Sequence, residues 1–175
     1  MQELKTDLPN VKLVKPDVER DAPLGVTWLE GEDGRKTLRL MGVTEVNNKP
    51  SDLETERKRI QGLARSLAWM IELDDKVVGA IWIDLEDTEY LSSPAVHLMI
   101  GDVRVRGKGT GSAALRAVIG YQGQLNKYEY LYSRYITLNK GSATLLERLG
   151  FEKLGSIYKD KDGLEWQNVR LDLSS

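Results

Sequence analysis

The sequence predicts an α/β (α+β) fold in which a mixed sheet of about seven strands is flanked by about four helices. Three observations carry that expectation. Short runs rich in β-branched and aromatic residues are bounded by turn residues, as strands are. Between them lie stretches with apolar residues at helical spacing and recognisable caps. The 175 residues, 41% hydrophobic and 30% charged, suit a single domain over 1–175 with a core that needs no staples. Residues 1–10 are a candidate flexible N-terminal segment.

In chain order, Val11–Lys15 is the first expected strand and Ala22–Leu29 a short helix. The charged stretch Glu30–Lys36, with two glycines, is expected to be a loop, and Asn47–Ser51 another. Ser51 and Glu54 form a Ser-x-x-Glu capping box before a helix whose apolar side carries Leu53, Ile60 and Leu63. Leu67–Leu73 and Lys76–Leu85 flank Asp74-Asp75 and read as an antiparallel hairpin. An acidic connection then leads to a strand over Ala95–Ile100. Ser112–Gln122 places Leu115, Val118 and Ile119 at helical spacing. Tyr130–Ile136 is a strand, and Lys140–Leu149 is a short helix closed by Gly150 at the C′ position. Phe151–Tyr158 and Leu164–Leu173 are strands around the turn Asp160-Lys-Asp-Gly163.

Composition removes several function classes. The absence of cysteine excludes disulfides, thiolate metal sites, iron–sulfur clusters and a cysteine nucleophile, and a single histidine excludes a multi-histidine zinc site. A net charge of −2 supplies no global field for nucleic acid or an anionic membrane. There is no apolar run of membrane-spanning length, and the N-terminus lacks a signal-peptide core. A cytoplasmic location is expected.

The segment Arg104–Gly111, RVRGKGTG, joins an expected strand to an expected helix. Its glycines let backbone approach a ligand closely, and free N–H groups at a helix N-terminus attract anions. Arg104, Arg106 and Lys108 add charge. The segment is therefore either a phosphate site or a surface turn with a helix cap. A P-loop spacing fails, because the fifth residue after Gly101 is Arg106. Gly109-x-Gly111-x-x-Ala114, with Glu129 downstream, fits a relaxed dinucleotide fingerprint and keeps an NAD-binding oxidoreductase as an alternative.

Arg106-Gly-Lys-Gly109-Thr-Gly111 matches the Arg/Gln-x-x-Gly-x-Gly/Ala motif of the GNAT superfamily of acetyl-CoA-dependent N-acetyltransferases, which the sequence resembles. Asn139 and Ser142, followed by Gly150-Phe151, match that family's downstream signature. The order of elements fits from Val11 to Leu173, and the details are closest to the RimJ/RimL-like branch, which acetylates ribosomal protein N-termini. The resemblance implies a GNAT-like, mostly antiparallel sheet and acetyl-CoA as co-substrate, with no metal. It implies that backbone groups of Arg106, Gly107, Lys108, Gly109, Thr110 and Gly111 hold the pyrophosphate, and that Met99, Ile100 and Gly101 border the pantetheine arm. A backbone N–H within Ile100–Gly101 would hold the thioester oxygen as charge develops. Asn139 would touch the cofactor, cap the last helix, or do both.

Acyl transfer to an amine also needs a base and an acid. His97 is the candidate base, on one strand face with Ala95 and Met99, with Glu72 and Asp84 as competitors. Leu146 stands where many family members carry a tyrosine acid, which leaves Ser142, Tyr135, Tyr132 and Ser133 as candidates. The acidic run Asp84–Glu89 would attract a cationic amine or simply be solvated. Arg134 would bind a substrate carboxylate, a cofactor phosphate or a protein carboxylate. The four tryptophans read as core or pocket wall. The expected activity is direct acetyl transfer in a ternary complex to a protein N-terminus or a small amine. A non-catalytic acetyl-CoA sensor and a plain interaction module are the other readings. No nucleic-acid or membrane partner is expected. Oligomeric state stays open, although relatives often form homodimers through sheet edges or C-terminal strands.

Overall fold

The computed structural model describes residues 2–44 and 51–174. An eight-stranded sheet runs in the order β1-β2-β3-β4-β5-β6-β8-β7. Its strands are β1 (Leu4–Lys5), β2 (Val11–Val14), β3 (Leu67–Leu73), β4 (Lys76–Asp84), β5 (Ala95–Ile100), β6 (Tyr130–Ile136), β7 (Glu152–Lys159) and β8 (Glu165–Asp172). Five helices flank it: α1 (Val18–Leu29), α2 (Gly31–Leu40), α3 (Leu53–Ala64), α4 (Thr110–Leu125) and α5 (Lys140–Arg148). The sheet is mixed and mostly antiparallel, as expected, with one more strand and one more helix than the sequence suggested.

Local chemistry accounts for the elements that were legible. Asp74 and Asp75 both adopt positive φ, 51° and 60°, which gives the β3–β4 hairpin the twist of a type I′ turn. At the end of α5, Gly150 N–H donates to Glu147 and Phe151 N–H to Leu146, the paired bonds of a Schellman motif. The Asp160–Gly163 turn joins β7 to β8.

Three expectations need correction: the loop over Glu30–Lys36, the cap of α3 and the burial of Leu53. The stretch Glu30–Lys36 is not a loop, because Gly31–Leu40 is helical. Its packing explains this: a Cβ on Gly34 would lie 2.1 Å from the Leu29 carbonyl carbon, so glycine lets α2 turn tightly off α1. The α3 cap is Asp52 and not Ser51; Asp52 accepts the Thr55 N–H at 2.7 Å, while Ser51 Oγ donates to Glu56. On α3 the buried residues are Ile60 and Glu56, with Glu56 paired to Arg59 at 2.7 Å, whereas Leu53 is exposed. Leu4–Lys5, inside the N-terminal segment, pairs with β2. The loop expected over Asn47–Ser51 lies outside the described residues except for Ser51.

Two apolar clusters lie on the two faces of the sheet. One joins the sheet to α4 and α5 through Leu13, Ile81, Val96, Leu115, Leu131 and Leu146, among others. The other joins it to α1 and α3 through Met70, Ala80 and Met99 against Ala22, Trp28 and Ile60. Strand alternation then sorts the site: Val96, Leu98 and Ile100 face α4, while Ala95, His97 and Met99 face the N-terminal helices.

Candidate functional site

The feature that makes a site is a parting of strands. Among the described residues β5 and β6 are the one parallel pair, and they meet at a single register point, Ala95 opposite Tyr132. There Tyr132 N–H donates to Pro94 at 2.9 Å, and Ser133 Oγ donates to the Val96 carbonyl at 2.9 Å. Beyond that point β5 continues to pair only with β4.

The backbone groups facing the gap follow from the β4 ladder. Gly101 N–H donates to Val78 at 2.8 Å, which makes these two a hydrogen-bonded pair. Alternation along the register turns the amides of Met99 and His97 toward β4 and those of Leu98 and Ile100 toward the gap. Of the strand residues expected to border a cofactor, Ile100 therefore presents its amide, and Leu98, which the sequence reading missed, presents another. Met99 is buried against α1, and Gly101 has a packing reason to be glycine: a Cβ there would lie 2.1 Å from Trp28.

After β5, Val103–Val105 forms one 3-10 turn and Gly109 begins α4 with φ 88°. The amides of Gly107, Lys108 and Gly109 have no acceptor among the described residues, and those of Thr110 and Gly111 lie in the first turn of α4 without intrahelical partners. This is a cradle of N–H groups with the positive end of a helix dipole behind it. The cations expected beside it are mostly committed elsewhere. Arg104 is held bidentately by Asp102 at 2.8 and 2.7 Å. Arg106 turns back, donating Nε to the Ile100 carbonyl at 2.9 Å and Nη2 to Thr37 of α2 at 2.8 Å, and burial lowers its pKa. Lys108 remains exposed and unpaired among the described residues. Arg106 thus ties strand end, cradle and α2 together.

Asn139 acts as the N-cap of α5, accepting the Ser142 N–H at 3.0 Å, and its Nδ2 donates to the Leu40 carbonyl at 3.3 Å. Ser142 sits in that first turn, half-buried. Tyr135 packs on the α4–α5 face. Leu146 is core on that same face, 5% exposed.

His97 lies on the opposite face. Its ring stacks on Trp82 at 5.4 Å, and Nε2 is 3.0 Å from Asp84 Oδ2, at an angle too bent for a straight hydrogen bond. The close contact with His97 holds the Asp84 carboxyl below the usual carboxylate range despite its partial burial. Glu72 is removed from this site, paired with Lys12 at 3.0 Å on β2 and with Arg20 at 3.6 Å on α1. The structure thus brings His97 and Asp84 together and sets Tyr135 and Ser142 across the sheet from them.

A sheet splayed beside an N–H cradle is an architecture for a ligand that ends in phosphate and threads an extended arm between strands. The sequence matches the family described as Acetyltransferase (GNAT) domain over residues 14–152. The chain belongs to the GNAT acetyltransferase family and is an acetyl-CoA-dependent N-acetyltransferase by that membership. No curated protein matches it by sequence.

Among solved structures, a GNAT-family acetyltransferase from Bacillus anthracis superposes with a TM-score of 0.81 at 13% identity, covering 99% of this chain and 100% of that one. Mycobacterium smegmatis RimJ, in complex with a CoA disulfide, gives 0.77 at 18% identity, covering 98% and 87%. A Salmonella typhimurium enzyme that modifies the N-terminal serine of ribosomal protein L7/L12 gives 0.75 at 14% identity, covering 98% and 99%. At those identities the likeness is one of fold. Family membership sets the NAD reading aside. Among the described residues, no helix is long and apolar enough to cross a membrane.

Proposed function

We propose that this chain transfers the acetyl group of acetyl-CoA directly to a primary amine in a ternary complex, the amine being a protein N-terminus or a small molecule. The observation that supports this most is the gap after Ala95 and Tyr132, with free amides on one side and His97 on the face away from α4. The residues present fit acetyl-CoA as co-substrate. The amides of Gly107 to Gly111 suit its pyrophosphate, and the gap-facing amides of Leu98 and Ile100 suit an extended amide-bearing arm.

The two faces divide the labour. On the face of the N-terminal helices, Asp84 occupies Nε2 of His97 and leaves Nδ1 to take a proton from the acceptor's ammonium, directly or through water, so that the neutral amine attacks the thioester carbon. The Ile100 N–H would hold the thioester oxygen as it gathers charge, being the only backbone donor of the Ile100–Gly101 pair not already bound to β4. On the α4–α5 face, Tyr135 would return a proton to the departing thiolate, with Ser142 the other hydroxyl on that side. The absence of cysteine favours direct attack over a covalent acyl-enzyme. This reading carries with it a cytoplasmic site of action and no nucleic-acid partner.

The core position of Leu146 favours one competing reading, a sensor that binds acetyl-CoA without transferring it. Labelled acetyl-CoA, offered with the small-molecule and protein fractions of a cell extract, separates the two. Label on an amine supports the enzyme and shows which kind of acceptor it takes. Tight acetyl-CoA binding with label on neither fraction supports the sensor.

A further inference from the structure

We propose that Arg134 is the anchor for a carboxylate carried by the amine acceptor, so that the substrate bears both an amine and an acid; this rests on the acetyltransferase reading above. The position comes from register. Ala95 and Tyr132 are opposite each other in a parallel pair, so His97 and Arg134, two residues further on each strand, stand level and on one face where the strands part.

The guanidinium is built into place without being neutralised. It lies over the Trp166 ring at 4.2 Å and donates Nη1 to the Tyr158 hydroxyl at 3.1 Å. That hydroxyl donates to Asn168 Oδ1 at 3.1 Å, and Asn168 Nδ2 donates to the Tyr90 carbonyl at 2.7 Å. The Tyr90 ring stacks on Tyr158 at 5.5 Å, which closes the support through the β4–β5 connection. Every one of these supporting groups is neutral. Among the described residues no carboxylate forms an ion pair with Arg134; Asp160 feels its charge, but its oxygens already accept the Asp162 and Leu164 amides and Trp166 Nε1. A half-buried guanidinium with one face on an indole and one N–H on a phenol keeps most of its donor fork for a planar, two-oxygen ligand. The coenzyme's pyrophosphate is not that ligand, because its cradle follows the end of β5 and opens α4 on the other face of the sheet.

The acceptor class follows. His97, Asp84 and the acidic connection take the amine end, and Arg134 takes the acid, which selects an α-amino acid or a peptide with an acidic side chain close to its N-terminus. A purely cationic polyamine would place its second charge against Arg134.

The test uses the full chain with acetyl-CoA. Each free amino acid is compared with its α-carboxamide, and short peptides with Glu as second residue are compared with their Gln counterparts. The expected result is a kcat/KM higher by about 10- to 100-fold for the acid in at least one pair, expressed mainly in KM. Whether the free or the peptide pair shows it identifies the source of the carboxylate. Arg134→Met, which keeps stem packing on Trp166, should bring the ratio toward one with acetyl-CoA affinity unchanged, and Arg134→Lys should restore part of it. Amides equal to or better than acids in every pair, or a ratio that survives in Arg134→Met, overturns the proposal; the first of these needs no variant. If no amine is acetylated, calorimetry on the CoA-loaded protein with N-acetyl amino acids and their carboxamides still decides it. An acid preference lost in Arg134→Met keeps the anchor while the transfer reading falls, and no preference removes the anchor.

Discussion

Gly101→Ala tests whether this glycine serves the cofactor or the packing of the site. The new Cβ would lie 2.1, 2.4 and 2.5 Å from Trp28 Cδ2, Cε3 and Cγ. Ordinary carbon contacts are roughly 3.5–4.0 Å, so the indole or the strand end must shift by about 1.5 Å. Overpacking of that size costs about 1–3 kcal/mol. In a chain of this length that lowers Tm by about 3–10 °C. Trp28 is 8% exposed, so Trp28→Ala by itself is expected to cost about 3–5 kcal/mol. Once the indole is gone, adding Gly101→Ala should cost under about 0.5 kcal/mol, because the two changes share one space. The assay is thermal unfolding of the wild type, both single variants and the double variant, with acetyl-CoA titrated calorimetrically into each. Equal destabilisation by Gly101→Ala with and without Trp28 would refute the packing argument. An equal loss of acetyl-CoA affinity in both backgrounds would return Gly101 to direct cofactor contact.

Gly109→Val places a β-branched residue at φ 88°, so acetyl-CoA affinity should fall at least tenfold while Tm drops only a few degrees; an unchanged Kd would remove the phosphate cradle. Arg106→Met loses the bonds to Ile100 and Thr37, and acetyl-CoA should bind about 10- to 100-fold more weakly, with Thr37→Val shifting Kd in the same direction by less. His97→Gln should lower kcat about 100-fold while acetyl-CoA affinity stays close to wild type, and an unaltered kcat would make the ring structural. For Asp84 the folded carboxyl is depressed below 3.8, so it adds stability above that value and loses it as pH falls through the lower folded value. The Tm gap between wild type and Asp84→Asn should therefore be full near about pH 6 and close below about pH 4; a gap that persists in acid contradicts the His97 contact.

Much of the fold was legible because its signals are local. Turn chemistry at Asp74-Asp75 and Asp160–Gly163 and the close of α5 at Gly150 each depend on neighbouring residues, and each stands where the sequence puts it. The motif at Arg106–Gly111 was legible for the same reason, since consecutive amides and a helix start form one cradle whatever surrounds them. Helix α2 was not, because a polar decapeptide with two glycines has no apolar period; its helicity depends on Gly34 lying against Leu29 and on Thr37 meeting Arg106.

The roles inside the site divide along the same line. That a histidine and an arginine occur on two expected strands is a property of the sequence. That they stand level across a gap depends on the Ala95–Tyr132 register, a contact between residues 37 positions apart. The preference for Ile100 and Leu98 amides over those of Met99 and Gly101 depends on the pairing of β5 with β4. Residue type and short spacing alone determined the turns and the approximate place of most strands and helices. Only the tertiary structure decided which backbone groups are left over and which charges meet, because a hydrogen bond or ion pair between distant segments is set by sheet register, and no local window contains it.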